Sequence, residues 1–431
     1  MHTPLYDLIG IGIGPYNLGL AALTEENTDL QTIFFEQNGE FAWHPGMLID
    51  GSDLQVSFLA DLVTFANPTS KYSFVNYLHS QNRLYSFFFY HKLEIPREEY
   101  AAYLEWVANQ LNNCFFKSEV VDVVDHESYY EVIVYHWDQQ EHTSYYAKNI
   151  VLGTGSIPLI PIDTENIDVE SVYHSSQYLY HKKHTLHANH ITVVGSGQSA
   201  SEIFYDLLKL QDTFDYHLAW YTRSPGFLQL DSSKLGQEVF TPDYVDYFHT
   251  LSFDARIESL DHLGQLRKGI DGATLQAIFE LLYHRSVRKN VLPVTIQPLT
   301  EINEVNHHDN GLRVHAKQWQ QNKKMTFDTD KLILATGYKP NIPQWFYDRF
   351  SEKIKWENDK LFKIDETYKI EFHDNKRSHH FYTSTNLEHS HGTGATNLGL
   401  AVHRNIRIIN EIAGKQVYKP QQNNSFTNFS E

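Results

Sequence analysis

The sequence predicts an α/β fold: two Rossmann-like dinucleotide-binding domains, the second inserted into the first, with a smaller substrate-binding region. Three observations predict it. An apolar run feeding alternating glycines and then a helical pattern occurs twice, as YDLIGIGIGPYNLGLAAL (Tyr6 to Leu23) and HITVVGSGQSASEIFYDLL (His190 to Leu208). After each device the next strand pattern ends in a charged residue, Glu36 in the first half and Arg223 in the second. Each half then closes on a strand, a Thr-Gly pair and prolines, in NIVLGTGSIPLIP (Asn149 to Pro161) and KLILATGYKPNIP (Lys331 to Pro343).

The elements follow in order. DLIGIG is a short apolar run ending in glycine, the pattern of a buried strand, and NLGLAALTEE reads as the helix after it. TIFFEQ (Thr32 to Gln37) is the next strand. REEYAAYLEWVANQL (Arg97 to Leu111) has helical spacing, with Tyr100, Tyr103, Leu104 and Val107 on one face. EVVDVVDHESYYEVIVYHW alternates like antiparallel strands around a turn. The glycine turn and prolines after Asn149 mark a domain exit. A histidine-rich stretch, HKKHTLHANH, reads as a solvated connector to the second device, its helix and the strand HLAWYTR (His217 to Arg223). LQAIFELLYHRSV is helical, and the tail KPQQNNSFTNFSE has too little to bury and is expected to be disordered. The expected layout is a first dinucleotide domain over 1–165 and a second over 166–330, with substrate-region elements at about 230–290. The first domain resumes over 331–415 and closes the substrate pocket, and 416–431 is the tail.

Composition bounds the function. A chain of 431 residues has room for two or three domains with buried cores. The net charge of −18 argues against broad binding to nucleic acid or anionic membrane, which need a positive surface. The single cysteine, Cys114, excludes an internal disulfide and a C-x-x-x-x-C redox pair, and suits a reducing compartment. No leader pattern and no run of about 18 apolar residues is present, so a cytoplasmic protein is expected. The 25 histidines raise the question of metal. His181 and His184, and His187 and His190, are three apart, but their stretch is polar and lacks carboxylate or thiolate company. EHSHG (Glu388 to Gly392) is a better candidate, which the flavin reading below assigns to another role, so no metal site is expected.

The glycine devices carry the chemistry. Gly12, Gly14 and Asn17 stand at the G-x-G-x-x-G positions. The first glycine makes the tight turn, the second admits a pyrophosphate, and the helix N-terminus presents free N–H groups to it. Asn17 replaces the third glycine. Pro15 suits the first helical turn, where no N–H is needed. Glu36 falls at about the 20-residue spacing of a carboxylate that grips a ribose hydroxyl. In the second device Gly195, Ser196, Gly197, Gln198 and Ser199 follow the strand, and Arg223 replaces the acid, as suits a 2′-phosphate. Opposite end charges point to FAD at the first loop and NADPH at the second, with hydride passing from nicotinamide to flavin. Thr336 and Gly337, in LATGY, belong to a flavoprotein-like exit and are candidate cofactor contacts.

The chain also resembles the flavin-dependent N-hydroxylating monooxygenases of siderophore biosynthesis. The resemblance rests on FAWHPGMLIDG, LQVSFLADLVTFANPTSKYSFVNYL, IPREEYAAYLEWVA, VVGSGQSASE, TPDYVDYFH, LATGYKP and LEHSHGTGATNLGLAVHRN. It implies that Trp43, His44 and Gln55 line the FAD, with Gln55 against the ring, and that Ser196, Gln198, Ser199 and Arg223 hold NADPH. It implies that Gln55 and Arg97 are catalytic, with Arg97 close to flavin and nicotinamide, and that a segment from His391 to Leu400, including Leu398, returns to the flavin and closes the amine pocket. The implied partners are a small primary amine and O2, and the implied route is a C4a-hydroperoxyflavin attacked by the neutral amine. A homo-oligomer, dimer or tetramer, is expected. Family members that take ornithine carry a lysine where this chain has Ala60, and that lysine grips the substrate carboxylate. Ala60 therefore implies an amine without an α-carboxylate, such as putrescine or cadaverine. Gln237 departs from the ornithine enzymes in the same sense. Asn397, which stands for an expected aspartate, leaves room for another amine such as histamine. The alternatives are L-lysine or L-ornithine, with the carboxylate held by Arg267 or Lys268, and a non-catalytic dinucleotide-binding protein.

Overall fold

The computed structural model describes residues 4–430 except 290 and 310. The tetrapeptide LIGI, Leu8–Ile11, is buried at every residue, as a strand covered on both faces must be. It pairs in parallel with Thr32–Phe35 on one side and Asn149–Leu152 on the other. His380–Thr383 and Cys114–Phe115 complete a five-stranded parallel sheet. The helix Pro15–Asn27 follows the loop strand and packs against the last long helix, Leu398–Ala413.

The second half repeats this plan. His190–Val194 lies between Lys331–Leu334 and His217–Tyr221, with Val172–His174 and Val294–Gln297 at the edges, all parallel. In each sheet the strand that carries the glycine loop is central. Each unit also owns three antiparallel strands, 118–147 in the first, where the short strand Leu5–Tyr6 joins them in parallel, and 300–329 in the second.

Three expectations change. Lys331–Leu334 belongs to the second sheet, so the chain leaves that unit after Leu334 rather than at 331. The sequence echo explains it, since Asn149–Leu152 likewise pairs beside its own loop strand. The crossing itself is an antiparallel ribbon of Ser156–Pro158 and Tyr338–Pro340. The histidine-rich connector contains a helix, Tyr178–Thr185, because Tyr178 and Thr185 are buried and the Lys182 ammonium sits 2.6 Å from the Asp206 carboxylate. The tail, expected to be disordered, is docked. Tyr418 is buried, with its hydroxyl donating to Leu23 O at 2.8 Å, and the residues after it lie on the helical segment 236–250. It forms no core of its own, and its backbone N–H groups find carboxylates instead.

The cores show how the units join. Met47 and Ile49, from the first segment, are buried in the core of the second unit with Tyr178, Ile203 and Trp220. Gly46 is the reason the chain can pass there: a Cβ on it would run into the backbone carbonyl of Ser176.

Candidate active site

Both glycine loops sit at the C-terminal ends of their central strands, where α/β sheets bind ligands. Gly12 has φ +85°, and a Cβ on it would lie 2.6 Å from Gly153 O. Gly195 has φ +144°, and its Cβ would collide with Ala335 O. These two glycines are therefore imposed by the protein itself. Gly14 and Gly197 differ: a Cβ at either meets nothing within 4 Å. Each is the N-cap of its helix, and neither cap supplies a side-chain acceptor. Pro15 follows at the first helical position. Open space above uncapped N–H groups fits one dinucleotide pyrophosphate at each loop.

A charged residue flanks each loop. Glu36, just past its strand, accepts from the Ile13 N–H at 2.9 Å, so the carboxylate stands at the mouth of the first loop. Arg223 stands beyond the second sheet with its side chain 76% exposed, in a loose ion pair with Glu301 at 3.9 Å. Ser196 shares a hydrogen bond of 2.8 Å with Ser224, which adds a hydroxyl beside Arg223. Ser199 is half-buried in the first turn after Gly197.

Asn17, placed among the cofactor contacts by the motif, serves the loop instead. It is 1% exposed, its amide donates to Gly12 O at 2.9 Å and Ile11 O at 3.3 Å, and it abuts Gly153. Gln198 is likewise committed to protein: its Oε1 accepts from Asp271 N–H at 2.9 Å and its amide donates to Glu202 at 3.0 Å. The Thr336 hydroxyl donates to Leu159 O, and Gly337 O accepts from the Leu159 N–H at 2.9 Å, so this pair holds the crossing ribbon.

Of the residues expected around the flavin, His44 and Arg97 lie where the first segment meets the later ones. Trp43 meets Tyr100 edge-on at 5.2 Å, and His44, with φ +50°, lies edge-on to Trp43 at 5.0 Å. Burial, aided by the Arg97 charge, holds the His44 imidazole below its usual pKa. Gln55 projects exposed from the strand Asp53–Ser57. Arg97 opens the helix Arg97–Ala108. It makes two bonds of 2.8 Å to Glu202 and one of 3.1 Å to Met47 O. A bidentate pair thus bridges the two units. Glu202 was hidden in the sequence, although its place four residues after Gln198 puts both on one helix face.

The amine-pocket candidates converge on the start of the helix Leu398–Ala413. Asn397 caps it, its side chain accepting from Gly399 N–H at 2.8 Å, and Leu398 is packed on the first core. A Cβ on Gly399 would lie 3.7 Å from that of Ala60, which is buried and apolar. The segment before the cap is covered by the turn Gly236–Phe240, which carries half-buried Gln237, and by the helix Pro242–Thr250. Cβ atoms on Gly392 and Gly394 would touch Phe248 at 3.2 Å and Phe240 at 3.4 Å. His391 is buried there, stacked on Tyr368 at 4.0 Å. Burial, with the His249 and arginine charges around it, holds its pKa well below the usual histidine value, so it is neutral.

Two site residues gave little sequence signal. Tyr16, in the first loop, donates to Thr396 O at 2.6 Å and so hooks the glycine device to the pocket segment. Arg404 is 2% exposed, lies 4.4 Å over the Tyr16 ring and donates to Ala395 O at 3.1 Å. Its place in a run of buried polar residues, His403 to Asn405, between apolar stretches of the helix was the available clue. Arg267, a candidate carboxylate holder, is instead ion-paired with Glu388.

The chain is similar to several known proteins. The family model described as L-lysine 6-monooxygenase/L-ornithine 5-monooxygenase matches residues 4–340. A putrescine N-hydroxylase from Acinetobacter baumannii is 38% identical over 99% of this chain and 94% of its own. The L-lysine N6-monooxygenase of Escherichia coli is 31% identical over 96% of this chain and 95% of its own. Among solved structures, the FAD-bound cadaverine monooxygenase of the desferrioxamine pathway from Erwinia amylovora superposes with a TM-score of 0.94 at 34% identity, covering 99% of both chains. An ornithine N-hydroxylase from Kutzneria, solved with reduced FAD, NADP+ and L-ornithine, gives 0.88 at 27% identity, covering 95% of this chain and 99% of its own.

Proposed function

The chain belongs to the L-lysine 6-monooxygenase/L-ornithine 5-monooxygenase family, and from that premise we propose that it N-hydroxylates a primary diamine of the putrescine or cadaverine type for hydroxamate siderophore assembly. The balance is amine, O2, NADPH and a proton in, and hydroxylamine, water and NADP+ out. Bound FAD and NADPH supply the redox chemistry, hydride from one reducing the other, which then activates O2. The chain's own residues do the rest. The two open glycine loops bind the pyrophosphates, Glu36 and Arg223 sort the nucleotides, and Trp43, His44, Gln55 and Arg97 line the space between.

The observation that carries the substrate reading is Ala60 beside Gly399. A substrate carboxylate there would be desolvated with neither charge nor donor to meet it, a costly arrangement. Arg267, one of the two candidates to replace the lysine of ornithine enzymes beside Lys268, is ion-paired with Glu388. A free alkyl ammonium has a pKa of about 10.4 and no lone pair, so the pocket must favour the neutral amine. Its buried, neutral His391 and apolar Ala60, Phe240 and Phe248 suit that. The test is an amine panel scored by hydroxylated product. Putrescine or cadaverine should give the highest specificity constant. Ornithine or lysine ahead of them would overturn the Ala60 reading, histamine ahead of them would select another amine, and no product with any amine would leave a dinucleotide-binding protein.

The homo-oligomer belongs to the same proposal. The helix Leu84–Tyr90 buries none of its side chains, and Tyr85, Phe88 and Phe89 are 83%, 65% and 73% exposed. A patch of this kind marks an interface, and light scattering should find a dimer or tetramer. No described helix is long and apolar enough to cross a membrane.

A further inference from the structure

The C-terminal residues carry an arrangement that the proposed reaction does not use. Five consecutive backbone N–H groups converge on two carboxylates of the pocket cover. Those of Asn423, Asn424 and Ser425 donate to Asp243 at 2.9, 2.5 and 3.1 Å. Those of Phe426 and Thr427 donate to Glu238 at 2.8 and 2.7 Å. The Thr427 hydroxyl also reaches Glu238. Beyond them Phe429 packs on Tyr244 at 4.9 Å and Tyr247 at 6.1 Å.

The other end of this segment is fixed to the first unit. Asn410 accepts from the Val417 and Tyr418 N–H groups at 2.8 and 3.0 Å and donates to Tyr418 O at 2.7 Å. The Tyr418 hydroxyl reaches Leu23 O, at the end of the helix that begins in the FAD loop. The chain between Tyr418 and Phe429 therefore ties the FAD-side helices to Glu238, Asp243 and Tyr244. These lie on the Gly236–Phe240 turn and the Pro242–Thr250 helix, whose Phe240 and Phe248 cover Gly394 and Gly392. A backbone donor bound by an ionised carboxylate makes a stronger bond than a neutral pair, and the only apolar side chain of residues 419–430 packed on this cover is Phe429.

We infer that Asp243 and Glu238 are positioning residues of the amine pocket: they clasp residues 423–427 as a strap that holds the cover 236–250 closed on the segment 391–397. The inference rests on the amine-hydroxylase reading of that pocket. A strap of this kind acts after flavin and nicotinamide binding, by keeping water from the amine side of the site.

The test uses the full-length, FAD-loaded protein and its Asp243→Asn, Glu238→Gln and Phe429→Ala variants. Hydrogen exchange read by mass spectrometry should quicken in both 419–430 and 236–250 and stay unchanged in the two parallel sheets. The KM for the amine should rise roughly tenfold, the loss of about one charge-assisted bond from the closed cover. Hydroxylamine formed per NADPH should fall as hydrogen peroxide rises, while flavin content and the KM for NADPH hold. Faster exchange in the tail with no change in 236–250 or in amine KM overturns the inference. If Asp243→Asn does not fold, Phe429→Ala, outside the helix, carries the same comparison. If the parent hydroxylates no amine, the functional reading fails, and the exchange data still decide whether the strap holds the cover.

Discussion

Gly12 and Gly14 are both glycines of the first loop, for different reasons. Gly12 needs a positive φ, and its Cβ would press on Gly153 O, so the fold itself excludes a side chain. Gly14 faces open space, so no protein atom excludes a side chain there and a bound pyrophosphate would. Gly14→Val should therefore purify folded but colourless, with a melting temperature equal to that of the parent apoprotein. Gly12→Val should fail to accumulate. A yellow, flavin-saturated Gly14→Val would move the pyrophosphate elsewhere. Arg223 makes the matching case at the second loop. A charge-assisted bond to a 2′-phosphate contributes about 1.5–3 kcal/mol, roughly tenfold or more in affinity. Arg223→Ala should raise the KM for NADPH by that factor and leave that for NADH nearly unchanged, and equal losses for both would refute the role. These residues were legible because a backbone motif dictates them. Asn17 was legible only as a departure from the motif. Its function, bonding the loop carbonyls, required knowing that Gly153 lies against it.

At the scale of elements, ion pairs join pieces that are far apart in the chain. Arg97 and Glu202 pair at 2.8 Å between the first residue of one helix and the second turn of another, with 14% and 7% of their side chains exposed. Removing one partner of such a pair costs about 3–5 kcal/mol, whereas an apolar replacement of both can be neutral. Glu202→Leu alone should lower urea-unfolding stability by that amount, and Arg97→Met with Glu202→Leu should recover most of it without recovering activity if Arg97 acts at the flavin. Recovery of both would make Arg97 purely structural. Asp125 works likewise between the strand Ser118–Asp125 and the stretch before His380–Thr383. Burial alone would raise its pKa, but bonds from Arg377, His379 and Lys353 outweigh it and hold it at about 2. The unfolded carboxylate titrates near about 3.9. Between those values the unfolded chain binds the extra proton, so this contribution is present above pH 4 and lost as pH falls toward 2. Asp125→Asn should thus be less stable than the parent at pH 6, with the gap closing on acid titration followed by circular dichroism. A constant gap would deny the linkage. The periodic elements were legible in sequence, including the helix that Arg97 opens and the antiparallel pair ending near His136. The helix Tyr178–Thr185 was not, because its burial depends on Asp206 and on Tyr173, which lie in other elements.

At the scale of the molecule, hydride transfer demands that two nucleotide units hold one distance. The seam that fixes it is built from the 44–49 turn. Met47 and Ile49 are buried in the second unit's core, Arg97 holds Met47 O, and Gly46 lets the turn cross the Ser176 backbone. Nothing in WHPGMLI announces this, since the apolar residues could equally have filled their own unit's core. The duplication of the glycine device told that two units exist, and their relative placement is a tertiary fact. Gly46→Ala makes it measurable. Its Cβ would sit far inside the 3.4–4 Å of ordinary contact with Ser176 O, and neither backbone can rotate away as a side chain would. The units must part by about 1 Å or more, and a displacement of that size costs on the order of 10²-fold where reacting atoms have to meet at about 3–3.5 Å. Each loop keeps its own glycine, helix N-terminus and flanking charge. The variant should therefore bind FAD and NADP+ with parental affinity in separate titrations, while anaerobic bleaching of the flavin by NADPH slows by about two orders of magnitude. Parental reduction rates in a folded Gly46→Ala protein would show that the seam yields without disturbing the cofactors. Weakened FAD binding would show instead that the turn belongs to the flavin site before it belongs to the interface.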